Sequence, residues 1–109
     1  MLHNFTRGPS DGAFPYAGVI LDGKGNLYGT TLRGGSSDDG TVYELEADGT
    51  LTLLYSFTNQ SDGEYPYGGV IMDAQCNLYE TAEQGGDPKC GKEGYYGCGT
   101  VWQITSQSR

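Results

Sequence analysis

The residues that could do chemistry in this chain are few, and histidine-based catalysis has little to work with. His3 is the sole histidine, so a Ser-His-Asp or Cys-His arrangement would have to be built around it. No G-x-S-x-G motif accompanies it. The corresponding position in the second half of the chain is Tyr55, so we expect His3 to pack and not to catalyse.

Carboxylates are plentiful, and two of them recur at matching places. Asp22 and Asp73 each precede a short turn segment, where an aspartate usually accepts backbone N–H bonds. A glycosidase needs two carboxylates at a defined separation across a cleft, which is the alternative interpretation. Asp38 and Asp39 lack the alternating ligands of a calcium loop. The sequence therefore predicts no catalytic residue, no cofactor and no metal site.

The three cysteines, Cys76, Cys90 and Cys98, leave at least one without a disulfide partner in the monomer. Cys90 and Cys98 share one glycine-rich segment and could close a small ring, which contributes roughly 2–3 kcal/mol on the loop-entropy model. We predict this disulfide, which requires an oxidising compartment, with reduced thiols as the alternative. A zinc site is not predicted, because no second Cys or His pair is present.

Aromatic residues beside prolines are the best candidates for binding. Tyr65 and Tyr67 flank a proline, as Phe14 and Tyr16 do earlier, and Tyr95 and Tyr96 lie close to the cysteines. Rigid aromatic rings suit sugars or partner proteins, so the four tyrosines Tyr65, Tyr67, Tyr95 and Tyr96 could form a glycan site. The alternative, which we favour, is that such rings pack between structural units.

Composition narrows the possible partners. The 109 residues carry a net charge of −8 with only six basic side chains, which disfavours nucleic acid and anionic membranes as partners. No apolar run is long enough to span a bilayer, and the first ten residues do not resemble a signal peptide. We therefore expect either an intracellular chain or one whose leader has been removed or omitted.

An internal repeat organises the chain. Residues 11–35 and 62–86 are identical at 14 of 25 positions, and "GTVYEL" returns as "GTVWQI" after an eight-residue insertion. The first residues, "MLHNF", match "LLYSF" at 53–57. The chain thus begins on the segment that ends a repeat.

Each repeat predicts four strands joined by tight turns. The runs are Ala17–Asp22, Leu27–Leu32, Thr41–Glu46 and Thr50–Phe57, with period-two alternation clearest in the last. Four strands every 50 residues or so are typical of β-propeller blades. We predict an all-β fold of two four-stranded propeller blades in a single repeat domain, 1–109. Residues 1–6 form a closing strand, 17–57 the first blade, and 68–105 a second blade that lacks its fourth strand.

The phrases "GVILDGKGNLYGTT…GG…GTVYEL" and "GVIMDAQCNLYETA…GG…GTVWQI" resemble the tandem-repeat family of choice-of-anchor GloVer-containing proteins, over nearly the whole chain. The resemblance implies bacterial proteins of many repeats that are secreted or on the cell surface, with a propeller fold and no established activity. Cys76 stands where the first repeat has Gly25, and Glu80 where it has Gly29, so the second repeat has diverged.

Assembly follows from the strand count. The N-terminal strand, with Leu2 and Phe5, is the fourth strand that the last blade lacks, beside Val101, Trp102 and Ile104. Since two blades cannot close a propeller, we expect a head-to-tail homo-oligomer, with a ring of three or four chains preferred and a filament possible. The alternative is a fragment of a longer repeat protein.

We therefore expect a non-enzymatic propeller module that acts by self-assembly and surface presentation. A glycan-binding, lectin-like propeller is the alternative, and a hydrolase or lyase acting at the propeller channel comes third.

Overall fold

The computed structural model describes residues 1–58, 66, 68–82 and 98–106. Within them the chain forms strands and no α-helix, so the prediction of an all-β fold is confirmed. None of the described segments is a helix that could cross a membrane. The strands are β1 (Gly12–Ala13), β2 (Ile20–Leu21), β3 (Leu27–Thr31), β4 (Arg33–Gly34), β5 (Thr41–Leu45), β6 (Leu51–Ser56), β7 (Val70–Met72), β8 (Leu78–Ala82) and β9 (Thr100–Ile104).

The first repeat forms a four-stranded antiparallel sheet, here called the first sheet, in the order β2-β3-β5-β6. Consecutive strands pair because short turns with glycine or asparagine connect most of them. Its first strand is shorter than predicted, since only Ile20 and Leu21 find ladder partners, in Tyr28 and Leu27. A register shift between Val42 and Tyr43 bends the pairing of β5 with β6.

The second repeat forms the second sheet, three antiparallel strands in the order β7-β8-β9. Leu78 pairs with Met72 on one side and Ile104 on the other, so the register repeats that of the first sheet. Within the described residues this sheet has one strand fewer than the first sheet.

The two sheets pack face to face around one core. Because side chains alternate along a strand, each sheet has two faces, which we call front and back. Tyr28 and Val42 on the front face of the first sheet meet Val70, Leu78 and Ala82 on the back face of the second. The core thus lies between two successive repeats.

The N-terminal segment, residues 1–7, forms no strand in the single chain. It leads into β1, which pairs with β4 in a small sheet that the sequence did not predict. Gly34 in β4 has φ +86°, and an added Cβ would lie 2.5 Å from the Asp11 carbonyl oxygen, so only glycine allows this close approach. The predicted closing strand at 1–6 has no ladder partner among the described residues, and its pairing with another chain stays a prediction.

Candidate assembly site

Aromatic rings form the junction between the first and second sheets. Phe57, just after β6, stands edge-on to Trp102, with 6.3 Å between ring centroids and 81° between planes. Tyr55 lies 4.8 Å from the Trp102 ring and 5.1 Å from the Phe57 ring. Such aromatic pairs contribute about 0.5–1.5 kcal/mol beyond their buried area. Aromatic side chains at the end of the first sheet's last strand therefore pack against the second sheet.

The N-terminal segment reproduces this junction on the back face of the first sheet. The Phe5 ring stands edge-on to Tyr43, with 5.3 Å between centroids and 68° between planes, and the His3 ring lies 4.7 Å from that of Phe5. These three residues hold the repeat positions of the three junction aromatics just described. His3 packs beside an aromatic ring, as the repeat alignment indicated.

Asp11 anchors the N-terminal segment. Its carboxylate accepts hydrogen bonds from the Thr6 amide and hydroxyl, both at 2.8 Å, and from the Gly12 amide at 2.9 Å, and lies 3.0 Å from His3 Nε2. Burial alone would raise the pKa of Asp11, but these hydrogen bonds outweigh it and hold the pKa at about 2. The segment is therefore tethered by an ionised carboxylate at neutral pH.

An ion pair fixes the end of this segment. Arg7 donates to both carboxylate oxygens of Asp38, at 2.9 and 2.6 Å, and Asp38 also accepts from the Gly34 amide. The Arg7 hydrogen bond is the main reason that the pKa of Asp38 falls to about 2. Asp38 thus pairs with a guanidinium.

Among the described residues no three His, Cys, Asp or Glu side chains cluster as metal ligands would.

The structure divides the five residues predicted for assembly. Leu2 is exposed and lines a cavity of about 260 Å³ at the back face of the first sheet, and Phe5 lies half-buried over that face. Trp102 and Ile104 turn inward and pack against the core of their own chain, whereas Val101 points outward and is exposed. Alternation along β9 explains this division, which the strand prediction did not resolve.

Asp22 and Asp73 serve the same local role in the two repeats. Asp22 accepts hydrogen bonds from the Lys24 and Asn26 amides and lies 2.9 Å from the Tyr28 hydroxyl. Burial opposes ionisation, yet these bonds hold the pKa of Asp22 at about 2. Asp73 accepts the equivalent bonds, and the Asn77 amide is the main cause of its lowered pKa. This geometry favours the structural interpretation of both aspartates.

A comparison with protein-family models shows to which family the chain is related. The Gloeobacter/Verrucomicrobia repeat matches residues 1–109. The chain belongs to this repeat family. No curated protein and no solved structure matches the chain significantly. The family that the sequence motifs indicated is thus confirmed.

Within the Gloeobacter/Verrucomicrobia repeat of this chain, Glu80 is a functional candidate that the sequence reasoning missed. It lies on the back face of β8, is buried, and neither carboxylate oxygen has a hydrogen-bond partner in the described structure. Burial raises its pKa to about 7. The signal was available, since Glu80 replaces Gly29 of the first repeat.

Other predicted site residues fall in the part of the repeat for which no structure is described. The four candidate glycan-binding tyrosines, Tyr65, Tyr67, Tyr95 and Tyr96, lie outside the described residues. Cys90 also lies outside them, so its disulfide with the exposed Cys98 stays a prediction. Cys76 is exposed in the turn after β7.

Proposed function

We propose that this chain is a non-enzymatic β-propeller repeat module that acts by head-to-tail self-assembly and surface presentation. The observation that carries the proposal is the contact of Phe5 with Tyr43, which repeats the contact of Phe57 with Trp102. An extracellular or cell-surface location is part of the proposal and rests on the family resemblance.

β6 has two roles in the chain. Its backbone pairs with β5 and completes the first sheet, while Tyr55 of β6 and Phe57 just after it pack against Trp102 on the back face of the second sheet. The N-terminal segment fills the second role for the first sheet, since Phe5 covers Tyr43. A segment in that position belongs, by analogy with β6, to a sheet that precedes the first one.

The second sheet of another copy is the matching partner. Its last described strand is β9, which has the sequence and register of β5, the strand that β6 extends. We therefore propose that the N-terminal segment of one copy lies beside β9 of a neighbouring copy. The interface is heterologous, so it closes into a ring or continues as a filament. Rings of three or four chains give six or eight sheets, within the range of known propellers.

Native mass spectrometry tests this proposal. The full chain should appear at a small multiple of its 11.7 kDa mass. A chain without residues 1–5 should lose the assembly, since it lacks the shared segment, whereas Lys24→Ala in an exposed turn should keep it. A folded full-length monomer at micromolar concentration contradicts the proposal, and so does assembly that survives the deletion.

No observation in the described residues favours glycan binding over assembly. The lectin-like alternative depends on tyrosines outside the described residues and stays a prediction, as does the channel enzyme.

A further inference from the structure

Within the chain, two successive sheets meet front to back. On the front face of the first sheet, Val42 is fully buried at 0% exposure, and Ile20 packs against the same core. On the back face of the second sheet, Val70 is 6% exposed, and Met72 also packs on this core. These positions show which side chains the repeat uses when two sheets stack.

On the equivalent front face of the second sheet, two apolar side chains whose counterparts in the first sheet pack in the core are exposed. Val101 holds the repeat position of Val42 and is 81% exposed, and Ile71 holds that of Ile20 and is 68% exposed. Large apolar side chains that one repeat buries are therefore left in solvent by the next. Tyr79 of β8 lies between them on this face, opposite Ile71 and diagonal to Val101, and an exposed apolar surface of this kind marks an interaction site.

A complementary pair of exposed apolar side chains lies on the back face of the first sheet, at β2. Val19 holds the position of Val70 and is 50% exposed, and Leu21 holds that of Met72 and is 66% exposed. The N-terminal segment covers Tyr43 on this face but leaves the β2 end open. The two faces that meet between the sheets of one chain are therefore matched by two exposed faces, the front face of the second sheet and the back face of the first sheet at β2.

The charge pattern agrees with docking between copies. Among the described residues, the cross-strand side chains of the second sheet's front face are Ile71, Tyr79, Thr81, Val101 and Gln103, and none is charged. The Asp73 carboxylate lies beside Tyr79 and already accepts hydrogen bonds from the Tyr79 hydroxyl and the Asn77 amide. Gln103 replaces Glu44 of the first repeat. In a chain of net charge −8, a second copy can dock on this face without burying an unpaired carboxylate.

We infer that the front face of β7–β9 in one copy binds the back face of β2 in a second copy, with Ile71 and Val101 meeting Val19 and Leu21. The occupant is a second copy because the complementary surface exists on this chain and the same pairing of faces already operates within it. The inference rests on the proposed self-assembly and adds its second contact, which is separate from the N-terminal segment.

Two charge substitutions test the interface. Val101→Asp and Val19→Asp each place a carboxylate on one of the two surfaces, and both side chains are exposed enough for the chain to stay folded. Each variant alone should shift the mass from the assembly to the 11.7 kDa monomer. Ser36→Asp in an exposed loop adds the same charge as a control and should leave the assembly mass unchanged.

Mixing the two variants gives the sharpest outcome. The Val101→Asp chain keeps its β2 surface and the Val19→Asp chain keeps its β7–β9 surface, so an equimolar mixture should form a 1:1 dimer and nothing larger. Circular dichroism of each variant verifies folding.

The outcomes separate the two ideas. If the wild-type chain assembles and the 1–5 deletion abolishes assembly, but both Asp variants retain the full mass, this inference is overturned and strand sharing stands. If the deletion retains the assembly and the Asp variants lose it, strand sharing fails and this interface stands. A wild-type monomer overturns both.

Discussion

Glu80 lies directly opposite Trp102 in the ladder between β8 and β9, and both of its carboxylate oxygens are buried. In the first sheet the equivalent residue, Gly29, lies opposite Tyr43, whose hydroxyl would be 2.6 Å from an added Cβ. The same ladder position therefore holds a titratable group between the two sheets of the chain and only a glycine beside the Tyr43 ring.

The free energy of unfolding should decrease as pH rises, because Glu80 ionises in a buried position. Its folded pKa of about 7 lies above the ordinary 4.5, so the folded state holds the proton more tightly. The Glu80 contribution is fully present below pH 4.5 and is lost as pH rises through 7, by roughly 3 kcal/mol at about 1.4 kcal/mol per pKa unit. Urea unfolding of wild type and Glu80→Gln at pH 5 and pH 8, at one protein concentration, measures the difference. A difference that is the same at both pH values contradicts the prediction.

The two phenylalanines that cover successive sheets should differ in their effect on the folded monomer. Phe57 is among the most buried side chains, so Phe57→Ala should cost about 3–5 kcal/mol of unfolding free energy. Phe5 is half-buried, so Phe5→Ala should cost about 1 kcal/mol. Urea unfolding of both variants on the monomeric Val101→Asp background makes the comparison. Equal losses would show that the N-terminal segment is part of the monomer core.

Asp22 should make the free energy of unfolding decrease at acid pH. Its pKa is held at about 2, below the ordinary 3.8, so its contribution is present above pH 3.8 and lost as pH falls toward 2. Asp22→Asn should lose roughly 1 kcal/mol at pH 7, a modest value because solvent reaches the turn. The deficit should shrink toward pH 2. Asp73→Asn is the matched variant in the second sheet, and thermal unfolding between pH 2 and pH 7 follows both.

Cys76→Gly should stabilise the chain. Cys76 has φ 65°, in the left-handed region, at the turn position where the first repeat has Gly25 with φ 86°. Left-handed backbone costs a residue with a side chain about 1–2 kcal/mol, and the greater freedom of glycine in the unfolded chain offsets part of the gain. We expect a net gain of about 0.5–1 kcal/mol, seen as a higher Tm.

The reverse substitution provides the control. At Gly25 an added Cβ meets only the Ala47 Cβ, at 3.5 Å, so space is sufficient. Gly25→Ala should still lower the Tm because the cost is conformational. If Gly25→Ala and Cys76→Gly both leave the Tm unchanged, backbone strain does not matter at this turn.

Much of the fold could be predicted because its signals are local. The alternation in Leu51–Ser56 and the turns after Asp22 and Asp73 depend on neighbours a few residues away. Comparison of the two repeats also predicted that His3 packs, since it aligns with Tyr55 of β6. The short pairing of β1 with β4 escaped prediction because two-residue strands carry no periodic pattern.

By itself, the sequence determined an all-β chain with a four-stranded unit followed by three further strands of the same kind. It could not determine which side of each strand is covered, since Val42 and Val101 hold equivalent positions of the repeat. Only the tertiary structure decided that Val42 is buried and Val101 exposed, and that Glu80 lies between the sheets without a partner in the described structure. The physical reason is that burial depends on what packs against a face, which alternation along one strand does not specify.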